Sequence, residues 1–199
     1  MSNTPLPVIK TARLVLVHAQ PGNELRTVDF FERNRSHFSR WDPPAPSDFY
    51  TERFWQRGLW RALEDFYADR NVRFDMVRAG EEGGPLIGRI GFSQIFRGPF
   101  QSCMLGYQID AEHEGQGLMF EALGAAIDYM FGARHLHRVQ ANHLEENERS
   151  ARLLARLGFV REGLARDYLF IAGRWRDHIM MARLNSAFPD AAISEAVRF

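Results

Sequence analysis

The amino-acid sequence predicts a single domain of mixed α/β structure, and two observations support that prediction. The chain has 199 residues, of which 45% are hydrophobic, and this length and composition suit one domain with an apolar core of its own. Short runs typical of strands also alternate with segments of helical periodicity along the chain. No internal repeat, low-complexity segment or linker divides the sequence.

The first half of the chain begins with a strand pattern and continues into helices. Residues 13–17, Arg-Leu-Val-Leu-Val, are typical of a strand. From Pro21 to about Arg70 the pattern is helical, with a break at residues 41–44 because two prolines there forbid a helix. Three further strands are predicted at residues 72–77, 86–96 and 104–109, with turns at 83–84 and 98–99.

The second half has the clearer periodicity. Apolar residues recur at helical spacing over 117–131, which predicts a helix. Residues 137–143 favour a strand, and Asn147 can cap a helix that ends at Gly158. The last two strands are predicted to form a hairpin, one from Phe159 and one over 175–184, with the turn near 172–173.

Charge and cysteine content exclude several classes of protein. The 25 basic residues balance the 25 acidic ones, so the basic surface of a nucleic-acid-binding protein is not expected. Cys103 is the single cysteine, which predicts no disulfide, no cysteine-based metal site and a reducing compartment. Residues 1–10 lack the layout of a signal peptide, and no apolar run approaches the roughly 20 residues of a membrane-spanning helix. We therefore expect a cytoplasmic protein without metal, membrane or direct nucleic-acid binding.

A glycine-containing loop between a strand and a helix is the strongest candidate for a binding site. We call residues 114–119, Glu-Gly-Gln-Gly-Leu-Met, the glycine loop. Glycines let backbone N–H groups approach an anion, and the N-terminus of the following helix adds a partial positive charge, which together indicate pyrophosphate binding. A dinucleotide fingerprint would need a third glycine at Phe120, and no Gly-Lys-Ser/Thr of a P-loop follows. The same residues are also compatible with a tight turn before a helix that binds no ligand.

Together with other segments of the second half, the glycine loop resembles the GCN5-related N-acetyltransferase (GNAT) superfamily. The resemblance rests on residues 106–107, 114–119, 147–150 and 157–159. Residues 116–123, 155–159, 166–169 and 173–178 are similar to the ribosomal-protein-alanine N-acetyltransferase (RimJ) type within it. The resemblance implies one GNAT-like domain over residues 8–184, followed by a tail at 185–199. It also implies a central mixed, mostly antiparallel sheet with helices on both faces and a splayed acetyl-CoA cleft, opening after Ile109.

The resemblance implies acetyl-CoA as the cosubstrate. The pyrophosphate motif of the family, Gln/Arg-x-x-Gly-x-Gly/Ala, falls on the glycine loop, where Glu114 and Met119 depart from it. Since a carboxylate beside a pyrophosphate is repulsive, we expect backbone amides of the loop to bind and the Glu114 side chain to turn to solvent. The residues expected at the cofactor are Gln108, Ile109, Glu114, Gly115, Gln116, Gly117, Leu118, Met119, Asn147 and Ser150.

Asn147 and Ser150 each have two interpretations. Asn147 can be a helix cap with Ser150 in the first turn. The resemblance instead implies that the Asn147 amide contacts the pantetheine arm and that the Ser150 hydroxyl lies near the thioester sulfur. Many relatives have a tyrosine as the acid where this chain has Leu154. The resemblance to the ribosomal-protein type implies that Ser150, one turn earlier, is the catalytic acid.

The general base and the phosphate-binding arginines are left open. Glu162 and Asp167 are candidate bases, and a route through water is equally compatible with the sequence. Three arginines at helical spacing either meet the 3′-phosphate of the cofactor or form a solvated face; they are Arg149, Arg152 and Arg156.

The resemblance implies direct attack of an amine on the thioester in a ternary complex, with backbone N–H groups at the end of strand 107–109 polarising the carbonyl. An α-amine has a pKa of about 7.7–8.0 against about 10.4 for lysine, so it needs less help to become neutral. We therefore expect acetylation of a protein N-terminus, an alanine of a ribosomal protein, by a monomer or homodimer.

Two alternative functions stay open. The first is acetylation of a small amine such as a polyamine, an antibiotic or an amino acid, for which the acidic residues Glu145, Glu146 and Glu148 are the hint. The second is a non-catalytic protein that binds CoA or a ribosome. The aromatic residues Trp41, Phe54 and Trp55 are candidates for lining an acceptor pocket.

Overall fold

The computed structural model describes residues 5–189, which form one eight-stranded sheet with five α-helices around it. The strands are β1 (Val8–Lys10), β2 (Leu14–His18), β3 (Val72–Arg78), β4 (Gly88–Phe96), β5 (Ser102–Ile109), β6 (Arg138–Leu144), β7 (Val160–Ile171) and β8 (Arg174–Leu184). The helices are α1 (Glu24–Arg33), α2 (Arg35–Phe38), α3 (Glu52–Tyr67), α4 (Leu118–Gly132) and α5 (Glu148–Arg156). Of the predicted tail, residues 190–199 lie outside the described part of the chain.

The sheet is mixed and mostly antiparallel, as predicted. Its strand order is β1-β2-β3-β4-β5-β6-β8-β7. The pair β5–β6 is parallel and the other neighbouring pairs are antiparallel. The crossover between the parallel strands is α4, because two parallel neighbours cannot be joined by a tight turn.

Helices cover both faces of the sheet. The side chains of β2, which point to the two faces in turn, show which helices pack on each face. Leu14 and Leu16 are buried in a cluster with the apolar side chains of α4 and with Leu154 of α5. Val15, between them, belongs to a second cluster with Phe30 of α1 and Trp55 of α3. Successive side chains of a strand point to opposite faces, so α4 and α5 lie on one face, and α1 and the first half of α3 on the other.

The two central strands separate where the cleft was predicted, but earlier than expected. Pairing between β5 and β6 runs from Ser102–Arg138 to Leu105–Ala141 and ends there. Beyond it, residues 106–109 stay paired with β4, whereas residues 142–144 stay paired with β8. We call the gap between these two segments the wedge. The wedge begins after Leu105, four residues before the predicted position. From there on β5 stays paired only with β4, and β6 only with β8.

Candidate active site

The wedge presents unpaired backbone groups of β5 to the centre of the sheet. The N–H of Asp110 donates to the carbonyl of Ile87, the residue before β4, over 3.0 Å. Because backbone groups alternate in direction along a strand, those of Tyr107 and Ile109 point into the wedge. Their N–H groups are the donors that can polarise a carbonyl placed there.

The glycine loop leads directly from β5 into α4 and exposes a set of free N–H groups. Gly115 and Gly117 have φ angles of +73° and +74°, a conformation that residues with a Cβ adopt only with strain. Within residues 5–189, the N–H groups of residues 115–120 donate to no backbone or side-chain acceptor. Free N–H groups at a helix N-terminus form an anion site, so the loop fits the pyrophosphate of a nucleotide cofactor.

The side chains of the loop are held away from that anion site. Leu118 and Met119 are buried in the core of the protein. The Gln116 carbonyl accepts from Arg13 over 3.0 Å, and its side-chain oxygen accepts from Arg78 over 3.0 Å. A cofactor can therefore meet these residues through backbone N–H groups.

Glu114 is not turned freely to solvent, which differs from the expectation. Its side chain is 25% exposed, and the carboxylate forms an ion pair with Arg149 at the start of α5. The other carboxylate oxygen lies 3.4 Å from Nε2 of His37. The positive charge of Arg149 reduces the repulsion that an acidic residue would otherwise exert on a phosphate.

On the face of α4 and α5, two hydroxyl groups meet beside the wedge. The Tyr107 hydroxyl lies 2.7 Å from the Ser150 hydroxyl and shares a hydrogen bond with it. Burial raises the pKa of Tyr107 to about 12, although the bond to Ser150 lowers it in part. The phenol therefore stays protonated at neutral pH, and the pair holds two protons next to the wedge. Ser150 was predicted from the sequence as a site residue, whereas its contact with Tyr107 was not.

Asn147 caps α5 as the simpler interpretation predicts. Its Oδ1 accepts from the backbone N–H of Ser150 over 3.1 Å. The cap uses the oxygen of the amide, so the Nδ2 donor remains able to bind a second group. Arg152 pairs with Glu148 on the surface, whereas the Arg156 guanidinium lies over the ring of Phe120, in the first turn of α4, at 4.4 Å.

A cavity of about 540 Å³ lies on the opposite face of the sheet. Its walls come from α1 and α2, the proline-containing segment that follows them, the start of α3, the hairpin turn after β7, and one residue of β5. We call it the aromatic cavity; its lining includes Phe31, Phe38, Phe49, Tyr50, Trp55 and Gln108. Of the three aromatic residues predicted to line an acceptor pocket, Trp55 is in this wall.

Asp42 lies on the wall of the aromatic cavity and contacts a residue of β5 that borders the wedge. Its carboxylate accepts a hydrogen bond from the side-chain amide of Gln108, and both residues line the cavity. Burial raises the pKa of Asp42 to about 6, which the bond from Gln108 and the proximity of His37 offset only in part. The Gln108 side chain thus points to the cavity face and not to the glycine-loop face. Asp42 was not predicted as a site residue. Its position between Trp41 and two prolines, in a segment rich in aromatic residues, is the feature of the sequence that could have indicated it.

The base candidates named from the sequence lie elsewhere. Glu162 forms an ion pair with Arg138 over 2.6 Å. Asp167 is exposed on the β7–β8 hairpin, where its N–H donates to Asp177. Among residues 5–189, no group of three or more His, Cys, Asp or Glu side chains is arranged to hold a metal ion. No helix in the same part of the chain is long and apolar enough to cross a membrane.

The eight-stranded sheet with its wedge is the fold of a GNAT acetyltransferase. The chain matches the model of the acetyltransferase (GNAT) domain family over residues 13–160, and it belongs to that family. It is an acetyl-CoA-dependent N-acetyltransferase, and the resemblance stated from the sequence is confirmed.

Its relatives include enzymes that act on ribosomal proteins. The chain is 40% identical over 181 residues to the ribosomal protein uS5-alanine N-acetyltransferase of Escherichia coli (strain K12), covering 91% of this chain and 92% of the relative. It superimposes on the ribosomal-protein-S5-alanine acetyltransferase of Vibrio fischeri with a TM-score of 0.87 at 33% identity, covering 92% and 99% of the two chains. RimJ of Mycobacterium smegmatis, in complex with CoA-disulfide, gives a TM-score of 0.81 at 25% identity and coverages of 98% and 92%.

Proposed function

We propose that this protein transfers the acetyl group of acetyl-CoA to the α-amine at the N-terminus of a protein, and that an N-terminal alanine of a ribosomal protein is the natural acceptor. The observation that carries the proposal is the 40% identity to an enzyme of that activity along nearly the whole length of both chains. A ribosomal acceptor places the reaction in the cytoplasm. The catalytic unit is the domain over residues 8–184.

The cofactor site of this proposal is the glycine loop together with the wedge. Free N–H groups of residues 115–120 bind the pyrophosphate, and the Nδ2 group of Asn147 donates to the pantetheine arm. Bound acetyl-CoA supplies an acetyl thioester, which reacts in the wedge. The Tyr107 and Ile109 N–H groups stabilise negative charge on the carbonyl oxygen. Ser150 donates a proton to the leaving sulfur, and its neighbour Tyr107 orients the Ser150 hydroxyl at 2.7 Å.

The acceptor site of this proposal is the aromatic cavity. It opens on the face of the sheet opposite α4 and α5, so an acceptor can reach the wedge without displacing the cofactor. Its proline and aromatic walls suit the small apolar side chain of an N-terminal alanine, and its volume of about 540 Å³ holds the first few residues of a peptide.

The charges around the site favour a peptide over a polyamine. A polyamine carries several positive charges and needs several carboxylates. Within the described residues, Asp42 is the acidic side chain that lines the aromatic cavity. Two of the glutamates that hinted at a polyamine site are already paired, Glu146 with Arg176 and Glu148 with Arg152.

The test measures thiol release from acetyl-CoA with three acceptors, and mass spectrometry of the products. The acceptors are a peptide that begins with alanine, the same peptide with a blocked N-terminus, and spermidine. We expect release with the free peptide alone and a mass gain of one acetyl group on its N-terminal residue. Turnover of spermidine alone would contradict the proposal and support the small-amine alternative. Acetyl-CoA binding without turnover of any acceptor would support a non-catalytic role.

A further inference from the structure

We propose that Asp42 receives the α-ammonium group of the acceptor in the aromatic cavity and takes a proton from it, and thus acts as the catalytic base. This inference rests on the proposed function, since it assigns a role within the same acceptor site. It replaces the sequence-based candidates Glu162 and Asp167, which lie on the far hairpin strand and its exposed bulge.

The position of Asp42 is the first argument. Its carboxylate accepts a hydrogen bond from the side chain of Gln108, and Gln108 lies on the β5 segment that borders the wedge. The neighbouring residue Tyr107 points to the opposite face, where it contacts Ser150. A single strand therefore presents the carboxylate site on one side of the reacting centre and the hydroxyl pair on the other.

The missing counter-charge is the second argument. Among residues 5–189 the buried aspartates are each paired with an arginine, for example Asp75 with Arg89 over 2.7 Å and Asp110 with Arg33 over 2.6 Å, whereas Asp42 is only partly buried. Within residues 5–189, Asp42 forms no ion pair with a basic side chain. A carboxylate in a mostly apolar cavity without an ion-pair partner is costly, and a bound ammonium group would supply that partner.

Among residues 5–189, the charged groups near Asp42 have other contacts and form no ion pair with it. From β5, the Gln108 amide donates to it; from α2, His37 and Arg35 lie near the cavity. His37 is within 3.4 Å of the Glu114 carboxylate. The Arg35 guanidinium lies over the Tyr50 ring at 4.2 Å, on the cavity wall. The hairpin turn contributes Ala172, which is uncharged.

The acidity of Asp42 suits a base that works at neutral pH. Burial raises its pKa to about 6, so the group is ionised at pH 7 yet more basic than an ordinary aspartate. The pKa of an α-ammonium group is about 7.7–8.0, which is about two units higher. Catalytic bases are most effective with a pKa near the working pH.

The proton balance of the reaction needs one such base. The acceptor nitrogen enters with three protons and leaves as an amide with one. The first proton passes to an Asp42 oxygen and from there to water at the mouth of the cavity. The nitrogen lone pair then forms the N–C bond, the C–S bond breaks, and its electron pair stays on sulfur. The second proton of the acceptor nitrogen passes to the Ser150 oxygen, which has given its own proton to that sulfur.

The test compares Asp42→Asn with the matched control Asp48→Asn. Asp48 lies in the same segment, but is exposed and paired with Arg57 over 2.7 Å. With an alanine-starting peptide, we expect Asp42→Asn to lower kcat/KM by about 100-fold or more. The dissociation constant of acetyl-CoA should stay within about twofold, and Asp48→Asn should match the unmodified protein. The decline of kcat/KM towards low pH, centred near 6, should be absent in Asp42→Asn. Asp42→Glu, which keeps a carboxylate, should retain more activity than Asp42→Asn.

A binding measurement separates this inference from the proposed function. Free and N-blocked peptides are titrated calorimetrically into the CoA-saturated protein. We expect the free peptide to bind Asp42→Asn about tenfold more weakly than the unmodified protein, and the blocked peptide to bind both equally. Equal binding of the free peptide, or kcat/KM within threefold, overturns the role of Asp42. If spermidine alone is turned over, the proposed function fails, and the effect of Asp42→Asn on spermidine turnover decides the inference. If no acceptor is turned over, the titration decides it.

Discussion

The hydroxyl oxygens of Tyr107 and Ser150 lie 2.7 Å apart, although the two residues are 43 positions apart in the chain. Tyr107 comes from β5 at the edge of the wedge, and Ser150 from the first turn of α5. The wedge allows this contact because β5 and β6 no longer pair there. Because the Tyr107 phenol has a pKa of about 12, it stays protonated at neutral pH and remains a hydrogen-bond partner of Ser150.

Replacing Ser150 by alanine should lower kcat strongly. The variant removes the proposed proton donor to sulfur, and general acid catalysis contributes about 10²–10⁴-fold. We expect kcat to fall by about 100-fold with little change in the KM of acetyl-CoA, measured by thiol release.

Tyr107→Phe, which keeps the ring in the core, should lower kcat by about tenfold because it removes only the orienting hydrogen bond. The double variant should be no slower than Ser150→Ala; an additive loss would show that the two hydroxyls act separately. Ser186→Ala, at an exposed serine that follows β8 and lines neither the aromatic cavity nor the wedge, is the control.

Replacing Gly117 by alanine should weaken the binding of acetyl-CoA. The added Cβ meets Arg13 at 3.7 Å, so space is available, but the φ of +74° costs about 1–2 kcal/mol for a residue with a side chain. The methyl group also stands beside the free N–H groups. We expect the dissociation constant to rise about tenfold or more, measured by calorimetry.

Gly124→Ala is the matched control for Gly117→Ala. Gly124 lies inside α4, and an added Cβ there meets no atom within 4 Å. Since glycine inside a helix costs roughly 0.5–1 kcal/mol relative to alanine, this variant should be more stable than the unmodified protein and bind acetyl-CoA equally. Equal binding by Gly117→Ala would show that the loop does not hold the pyrophosphate.

Replacing Arg149 by alanine should weaken acetyl-CoA binding through Glu114. The variant leaves the Glu114 carboxylate without its ion pair beside the glycine loop, where it repels a phosphate. We expect a loss of about tenfold at low salt and a smaller loss at high salt, because screening reduces the repulsion. Adding Glu114→Gln to Arg149→Ala should restore most of the affinity. A double variant as weak as Arg149→Ala would assign the effect to a direct contact between Arg149 and the cofactor.

His18 should make the protein less stable in mild acid. The side chain is 1% exposed, and burial lowers its pKa to about 4, with the charges of Arg134 and Arg73 adding to the effect. The unfolded chain, with a histidine pKa of about 6.5, binds more protons than the folded one between these values. The contribution of His18 to stability is therefore fully present above pH 6.5 and is lost as the pH falls towards 4.

From about pH 8 to about pH 5, His18 should lower the free energy of unfolding by on the order of 2 kcal/mol. In His18→Phe, which keeps the aromatic contact with Phe66 at 4.7 Å, that part of the pH dependence should be absent in urea titrations. His135→Gln, at an exposed histidine, should keep it. An unchanged slope in His18→Phe would show that His18 does not remain neutral in the folded state.

The parts of the fold that follow local rules could be predicted from the sequence. The helix over 117–131 is observed at Leu118–Gly132, and the capped helix after Asn147 at Glu148–Arg156. β1 was missed, because its three residues are too few to show a strand pattern. The helical segment from Pro21 to Arg70 contains three helices, and the irregular stretch between α2 and α3 supplies much of the aromatic cavity.

The contacts that define the candidate site depend on tertiary packing. The glycine loop is local, so its glycines and its helix N-terminus were visible in the sequence. Asp42 and Gln108 are 66 positions apart, and their contact depends on how the segment that follows α2 lies against β5. The register at which β5 and β6 stop pairing follows from β4 and β8, which no short pattern encodes.

The wedge has a kinetic consequence. In the proposed reaction the donor enters from the α4–α5 face and the acceptor enters from the aromatic cavity, so the two would have separate routes through one opening in the sheet. Neither has to leave before the other arrives, so we expect random order of addition. Free CoA should then compete with acetyl-CoA for its route while leaving the route of the acceptor open, and either product should be able to depart while the other is still bound.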